Sequence, residues 1–131
     1  MNRMVLIDTN VYAGFKTGDE KAVEEIRNAE TIGMNSVLLA ELYAGFRLGS
    51  REKKNLAELE AFRESARVKT FDVTERTAFF YSHVLAGLRR KGHPIPTNDI
   101  WMAASAMEHG MVLLSFDEHF HFIDGLAWRM L

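Results

Sequence analysis

Short apolar runs separated by helix-length amphipathic stretches constrain this chain more than any other feature. The runs span 4–7 (MVLI), 32–34, 68–73 and 111–114, with 126–130 as a further edge. Each has the length of a buried strand and is too short for a buried helix. Between them, the patterns over 20–29, 36–48, 52–66, 75–90 and 98–109 read as helices. Within the fourth, Ala78, Tyr81, Leu85 and Leu88 recur at steps of three and four and make an apolar stripe. Gly92 and Pro94 then end that helix. Strands that alternate with helices connect in parallel, and a parallel sheet needs cover on both faces. The expectation is an α/β chain with three layers, α/β/α, around a central, mainly parallel sheet of four or five strands.

Composition limits what such a chain can do. Its 131 residues suit a single domain, 1–131, able to bury a core of its own. No apolar stretch approaches the roughly 18 residues that cross a bilayer. Asp8 also interrupts the first apolar run too early for a secretory signal. The chain contains no cysteine, which excludes disulfides and thiolate metal sites and agrees with a cytoplasmic setting. The formal net charge of -2 provides no global basic field for a long nucleic acid. Any such binding must be local.

Ligands of open α/β sheets bind beyond the carboxyl ends of the strands, and there this sequence places acids. Asp8 follows the first apolar run directly, and Ser115-Phe116-Asp117 follows the fourth. One strand-end acid is ordinarily a helix cap, but two such ends are more telling. Glu41 lies in SVLLAELYAGF, flanked at three and four positions by Val37, Leu38, Ala44 and Gly45. That face should be buried, so the carboxylate needs a partner which its own helix does not supply. Asp99, in GHPIPTNDIWMAASAM, falls in a first helical turn after Pro94 and Pro96, where a carboxylate suits the helix dipole. If Asp8, Glu41, Asp99 and Asp117 converge, their repulsion calls for a divalent cation. An all-oxygen ligand set favours Mg²⁺ or Mn²⁺ over Zn²⁺, and such ions assist phosphodiester hydrolysis.

The segments LIDTNV, SVLLAEL, LRRKGHPIPTNDIWMAASA and LLSFDEHF, in this order, resemble the PIN-domain ribonucleases. The likeness is specifically to the VapC toxins of type II toxin-antitoxin pairs. It implies a PIN-like fold in which Asp8, Glu41, Asp99 and Asp117 form a catalytic site. Asp8 and Asp99 would coordinate Mg²⁺ or Mn²⁺, with Glu41 and Asp117 completing the pocket through water or a second ion. Asn10 and Ser115 match positions of small polar residues that brace the acids. The implied reaction is hydrolysis of RNA, with water attacking in line with the departing 3' oxygen; one-ion and two-ion versions both remain open. The implied partners are an RNA substrate, a cognate VapB-type antitoxin and a second copy of the chain in a homodimer. Two alternatives stand beside this reading: a binding module of the same fold without catalysis, and an RNA-processing nuclease that is not a toxin. An aspartate-nucleophile phosphotransfer enzyme fits less well, because its second acid would occupy the place of Asn10.

Two basic clusters could touch phosphates: Arg89, Arg90 and Lys91 ahead of Asp99, and Arg47, Arg51, Lys53 and Lys54 after Glu41. Each is equally a solvated helix end, where cations suit the dipole. His119 and His121 alternate with Phe120 and Phe122 beside Asp117. Without the i, i+4 spacing of helical metal ligands, they read as surface residues of a packing segment. The methionines read as core filling, and Phe79, Phe80 and Tyr81 as residues shared by core and interface.

Overall fold

The structure, a computed structural model, describes residues 3–131. The chain runs β1 (Met4–Ile7), α1 (Thr9–Thr17), α2 (Glu20–Asn28), β2 (Thr31–Asn35), α3 (Ser36–Leu48), α4 (Glu52–Glu64), β3 (Val68–Phe71), α5 (Glu75–Lys91) and α6 (Thr97–His109). It continues through β4 (Val112–Ser115), a 3-10 helix over Glu118–Phe122 and β5 (Trp128–Met130). The five strands form one wholly parallel sheet in the order β3-β2-β1-β4-β5. The expected three-layer α/β/α architecture is therefore present, and the expected edge strand pairs parallel to β4. Among the described residues, no helix is long and apolar enough to cross a membrane.

The order of the strands follows from their burial. Leu6 and Ile7 in β1 and Leu113 and Leu114 in β4 are fully buried, which places these two strands at the centre. From β1 the chain steps one way to β2 and β3, then returns across β1 to lay down β4 and β5. Right-handed crossovers of opposite direction put α1–α4 on one face and α5 and α6 on the other. Side-chain contacts agree: Tyr12 and Phe15 of α1 meet Phe62 of α4, while α6 packs on α5, β1 and β4. The run of Ala103, Ala104, Ser105 and Ala106 is buried, and these small side chains let α6 approach the sheet closely. Gly110, at φ 65°, ends α6 in the left-handed conformation that the turn into β4 requires.

Three expectations shift. The helix α1 was not foreseen, because only Val11 and Tyr12 of its residues are buried and the apolar pattern is too short to show a period. Thr9 and Asn10 therefore open a helix and do not form a turn. Strand β3 ends at Phe71, ahead of the expected 73, since Thr74 and Thr77 cap α5 reciprocally. The α5 stripe is also rotated: Ala78 is exposed, while Thr77, Val84 and Leu88 are buried. The polar Thr77 tolerates that face because its hydroxyl donates to Glu108 Oε1 of α6 at 2.6 Å.

Gly33 in β2 leaves no room for a side chain among Leu6 of β1, Phe71 of β3 and Met111 ahead of β4. A Cβ there would lie 2.6 Å from Met111 Sδ and 2.9 Å from Leu6 Cδ1. Gly33→Ala is expected to destabilise the fold by about 1–3 kcal/mol, the usual cost of overpacking a filled core. Urea unfolding followed by circular dichroism measures it, and an unchanged midpoint would contradict the close packing.

Candidate active site

The chain reverses its direction of travel across the sheet between β1 and β4, the kind of switch point where open α/β sheets leave a crevice. The register pairs Ile7 with Leu114, so Asp8 and Ser115 leave their strands side by side. The buried Ser115 hydroxyl donates to Asp8 Oδ2 at 2.6 Å and accepts the Asp117 backbone N–H at 3.0 Å. Asp8 Oδ1 accepts the Val11 N–H at 2.9 Å, which makes Asp8 the N-cap of α1. The cap and the candidate site acid are thus the same residue, and the Ser115 hydroxyl is hydrogen-bonded to it.

Glu41 departs from its expected setting. It is half-buried, and Ala44 and Gly45 on its flank are exposed, because α3 presents this side to the crevice and not to the core. Its partners are neutral donors: Thr9 Oγ1 at 2.6 Å and Asn98 Nδ2 at 3.3 Å. Neither was foreseen in this role. Asn35 was also missed. It caps α3 through Leu38 N at 2.9 Å and donates to Ser105 Oγ of α6 at 2.8 Å, fully buried. Asparagine directly between an apolar strand and SVLLAEL was the available signal.

Asp99 occupies the first turn of α6. Asp8, Thr9, Asn10, Glu41, Thr97, Asn98, Asp99 and Asp117 line one cleft of about 390 Å³, together with Pro96. Burial raises the Asp8 pKa, its hydrogen bonds from Ser115 and Val11 lower it, and the charges of Asp117 and Glu41 raise it again. Burial likewise raises the Asp99 pKa; attraction to His119 works against this, and repulsion from Asp8 and Asp117 adds to it. Asp8 thus feels the charges of Asp117 and Glu41, and Asp99 those of Asp8 and Asp117.

Other expectations fare differently. Asn10 lines the cleft, but it is exposed and no hydrogen bond among the described residues ties it to an acid. Lys91 turns away to Asp124 Oδ1, at 2.6 Å, and to Phe122 O, at 3.0 Å. Arg89 and Arg90 end α5 outside the lining of the cleft, and Arg47 pairs with Glu52 at 3.7 Å. His121 is exposed against Phe122, as expected. His119 is not a surface packing residue. Its Nε2 lies 2.8 Å from Asp99 Oδ2 and its Nδ1 lies 3.5 Å from Asp117 Oδ1. The 3-10 helix after Asp117 turns this ring back over the acids, a reversal that the EHFHF alternation does not reveal.

The donor set fits a divalent cation. Like charges crowd the cleft without a basic side chain among its lining residues. Ligand atoms of Asp99, Asp117 and His119 lie within 4.8 Å of one another. His119 Nε2 is buried, and its contact with Asp99 is not an aligned hydrogen bond.

A PIN domain family model matches residues 5–126, a span that holds all four acids. The chain belongs to the PIN domain family. Ribonuclease VapC2 of Rickettsia felis is 29% identical to this PIN domain over 114 residues, covering 84% of each chain. The solved structure of VapBC2 from Rickettsia felis, bound to a promoter DNA fragment, superposes with a TM-score of 0.85 over 98% of both chains at 22% identity. DNA-bound VapBC from Salmonella typhimurium gives 0.84 over 98% of both chains at 26% identity.

The raised Asp99 pKa has a definite sign in stability. Folding makes this carboxyl hold its proton more tightly than the unfolded chain does. The cost of the bare carboxylate is therefore absent below the unfolded pKa, grows as pH rises toward the folded value and is complete above it. In EDTA at neutral pH, Asp99→Asn is expected to melt at a higher temperature than wild type. The gap should narrow as the pH falls into the ordinary carboxylate range. Thermal melts at both pH values check this, and a variant that melts lower at neutral pH would contradict the repulsive cleft.

Proposed function

We propose that this PIN domain is a divalent-cation-dependent endoribonuclease that acts as the toxin of a toxin-antitoxin pair and is inhibited by a VapB-type antitoxin. The observation that carries the reading is the meeting of Asp8, Glu41, Asp99 and Asp117, drawn from four separate segments, in one cleft at the sheet's switch point. The likeness to a VapC ribonuclease and to VapBC structures supports the substrate class and the partner.

Asp8 and Asp99 would hold Mg²⁺ or Mn²⁺, with Asp117 beside them and Glu41 across the cleft. When bound, such a cation makes water a better nucleophile at neutral pH and offsets charge on a phosphoryl oxygen. The chain's own part is to fix the acids. Ser115 and the Val11 N–H hold both oxygens of Asp8, so its carboxylate plane cannot swing. Thr9 and Asn98 take one oxygen each of Glu41 and span the cleft from α1 to α6. The first turn of α6 holds Asp99 at the mouth of the cleft beside Asn98. Such an arrangement aligns a phosphodiester by electrostatics, without a nucleophilic side chain and hence without a covalent enzyme intermediate.

Attraction of RNA has to come from outside the acidic lining. Arg89 and Arg90, exposed at the end of α5, are the proposed phosphate contacts. Lys91, the third cation of that cluster, is paired with Asp124 in the structure. We also assign the chain to a homodimer working in the cytoplasm. Phe79, 61% exposed on α5, supplies an apolar contact of the kind such an interface uses.

The deciding experiment is RNA cleavage by the purified chain in Mg²⁺ or Mn²⁺ against EDTA. Chelation should abolish cleavage. Asp99→Asn should lower it by more than about 100-fold, beyond the loss typical of residues that only support a metal ligand. Equal cleavage by variant and wild type would refute the chemistry. For the toxin role, induced expression should arrest bacterial growth and co-expressed antitoxin should relieve the arrest; normal growth in the presence of active enzyme would remove that role alone.

A further inference from the structure

Of the five histidines, His119 alone faces the acids. His83 meets Phe79, His93 stacks on Phe122, His109 stacks on Phe71 and His121 lies against Phe122. Two features of His119 are awkward for an ordinary ion pair. Nε2 lies close to Asp99 Oδ2, at 2.8 Å, as an ion-pair contact in which the ring N–H does not align as a well-formed hydrogen-bond donor. The nitrogen is also shielded from water, and a buried polar atom left in this way carries a penalty.

A shared cation resolves both. Neighbouring ligand atoms of an octahedral ion with bonds of about 2.1 Å lie roughly 3 Å apart, and each aims at the ion and not at the other. The Nε2 to Oδ2 separation and its misalignment have that form, and Asp117 offers a third ligand atom within 4.8 Å. The ring is held where it is by the 3-10 helix and by edge contact with Phe120, which is fully buried.

We infer that His119 Nε2 is a nitrogen ligand of the catalytic cation, bound beside Asp99 and Asp117, and that it gives this site a preference for Mn²⁺ over Mg²⁺. The inference rests on the cation-dependent reading above. Its chemistry is that of ligand softness: Mg²⁺ keeps oxygen ligands and releases water reluctantly, whereas a first-row transition ion accepts imidazole. An all-acid cleft would lack that bias.

The test is metal binding by the full chain, read without RNA. Mn²⁺ is titrated into purified protein and bound ion is followed by electron paramagnetic resonance, with spin-echo modulation reporting directly bound nitrogen. Wild type should show the nitrogen modulation, and His119→Ala should lose it. Mn²⁺ affinity should fall by about 10-fold or more, the scale on which loss of one residue at a metal site acts, while Mg²⁺ affinity measured by calorimetry stays unchanged. Bound Mn²⁺ without nitrogen modulation in wild type overturns the inference and leaves the acidic site intact. So does modulation that persists in His119→Ala. Failure of wild type to bind any Mn²⁺ overturns both the inference and the reading beneath it. The wild-type spectrum decides the matter even if His119→Ala folds poorly.

Discussion

Repulsion among carboxylates at the end of the sheet is the constraint around which the rest is arranged. Burial raises the pKa of Asp8 and of Asp99, and the charge of Asp117 raises both further. These acids stay together because the backbone gives them no alternative. Pairing of Ile7 with Leu114 fixes where Asp8 and Ser115 emerge, and the Ser115 hydroxyl, placed between Asp8 and the Asp117 N–H, ties the two strand ends into one unit. The core that drives this pairing, Leu6, Ile7, Leu113 and Leu114, is apolar and fully buried. Burial elsewhere thus offsets a local electrostatic cost, the usual relation between a fold and a site placed on it.

The helices on the two faces divide the work. On one face α1 and α3 bring Thr9 and Glu41 to the cleft, and on the other α6 brings Asn98 and Asp99. Asn35 connects them: it caps α3 and reaches Ser105 inside α6. That buried asparagine, which carries no charge and touches no cleft acid, ties one face to the other beneath the site. A second link is the Thr77 to Glu108 hydrogen bond, which fastens α5 to α6 by a buried polar pair in place of an apolar one.

Much of this was readable in the residues, for identifiable reasons. Apolar runs of strand length, helical periods between them and acids placed where strands end are local patterns, and they led to the sheet, the layers and the four acids. What was hidden depended on contacts across the fold. The helix α1 buries too few residues to show a period. The solvent side of Glu41 could not be seen because Ala44 and Gly45 are small enough to suit either surface or core. His119 lacks the i, i+4 spacing of helical ligands and so reads as a surface packing residue, whereas a 3-10 helix winds it back toward Asp99. Asn10 erred in the opposite sense: its position suggested a brace, but Thr9, one residue earlier, faces the acid.

The strand order also bears on when the cleft can exist at all. β4, which must lie against β1 to bring Ser115 to Asp8, is made after α1–α6. A growing chain on the ribosome therefore carries Asp8, Glu41 and Asp99 before it can place Asp117 beside them. The cleft is therefore a property of the finished sheet, and a chain that stops short of β4 has its acids but not their arrangement.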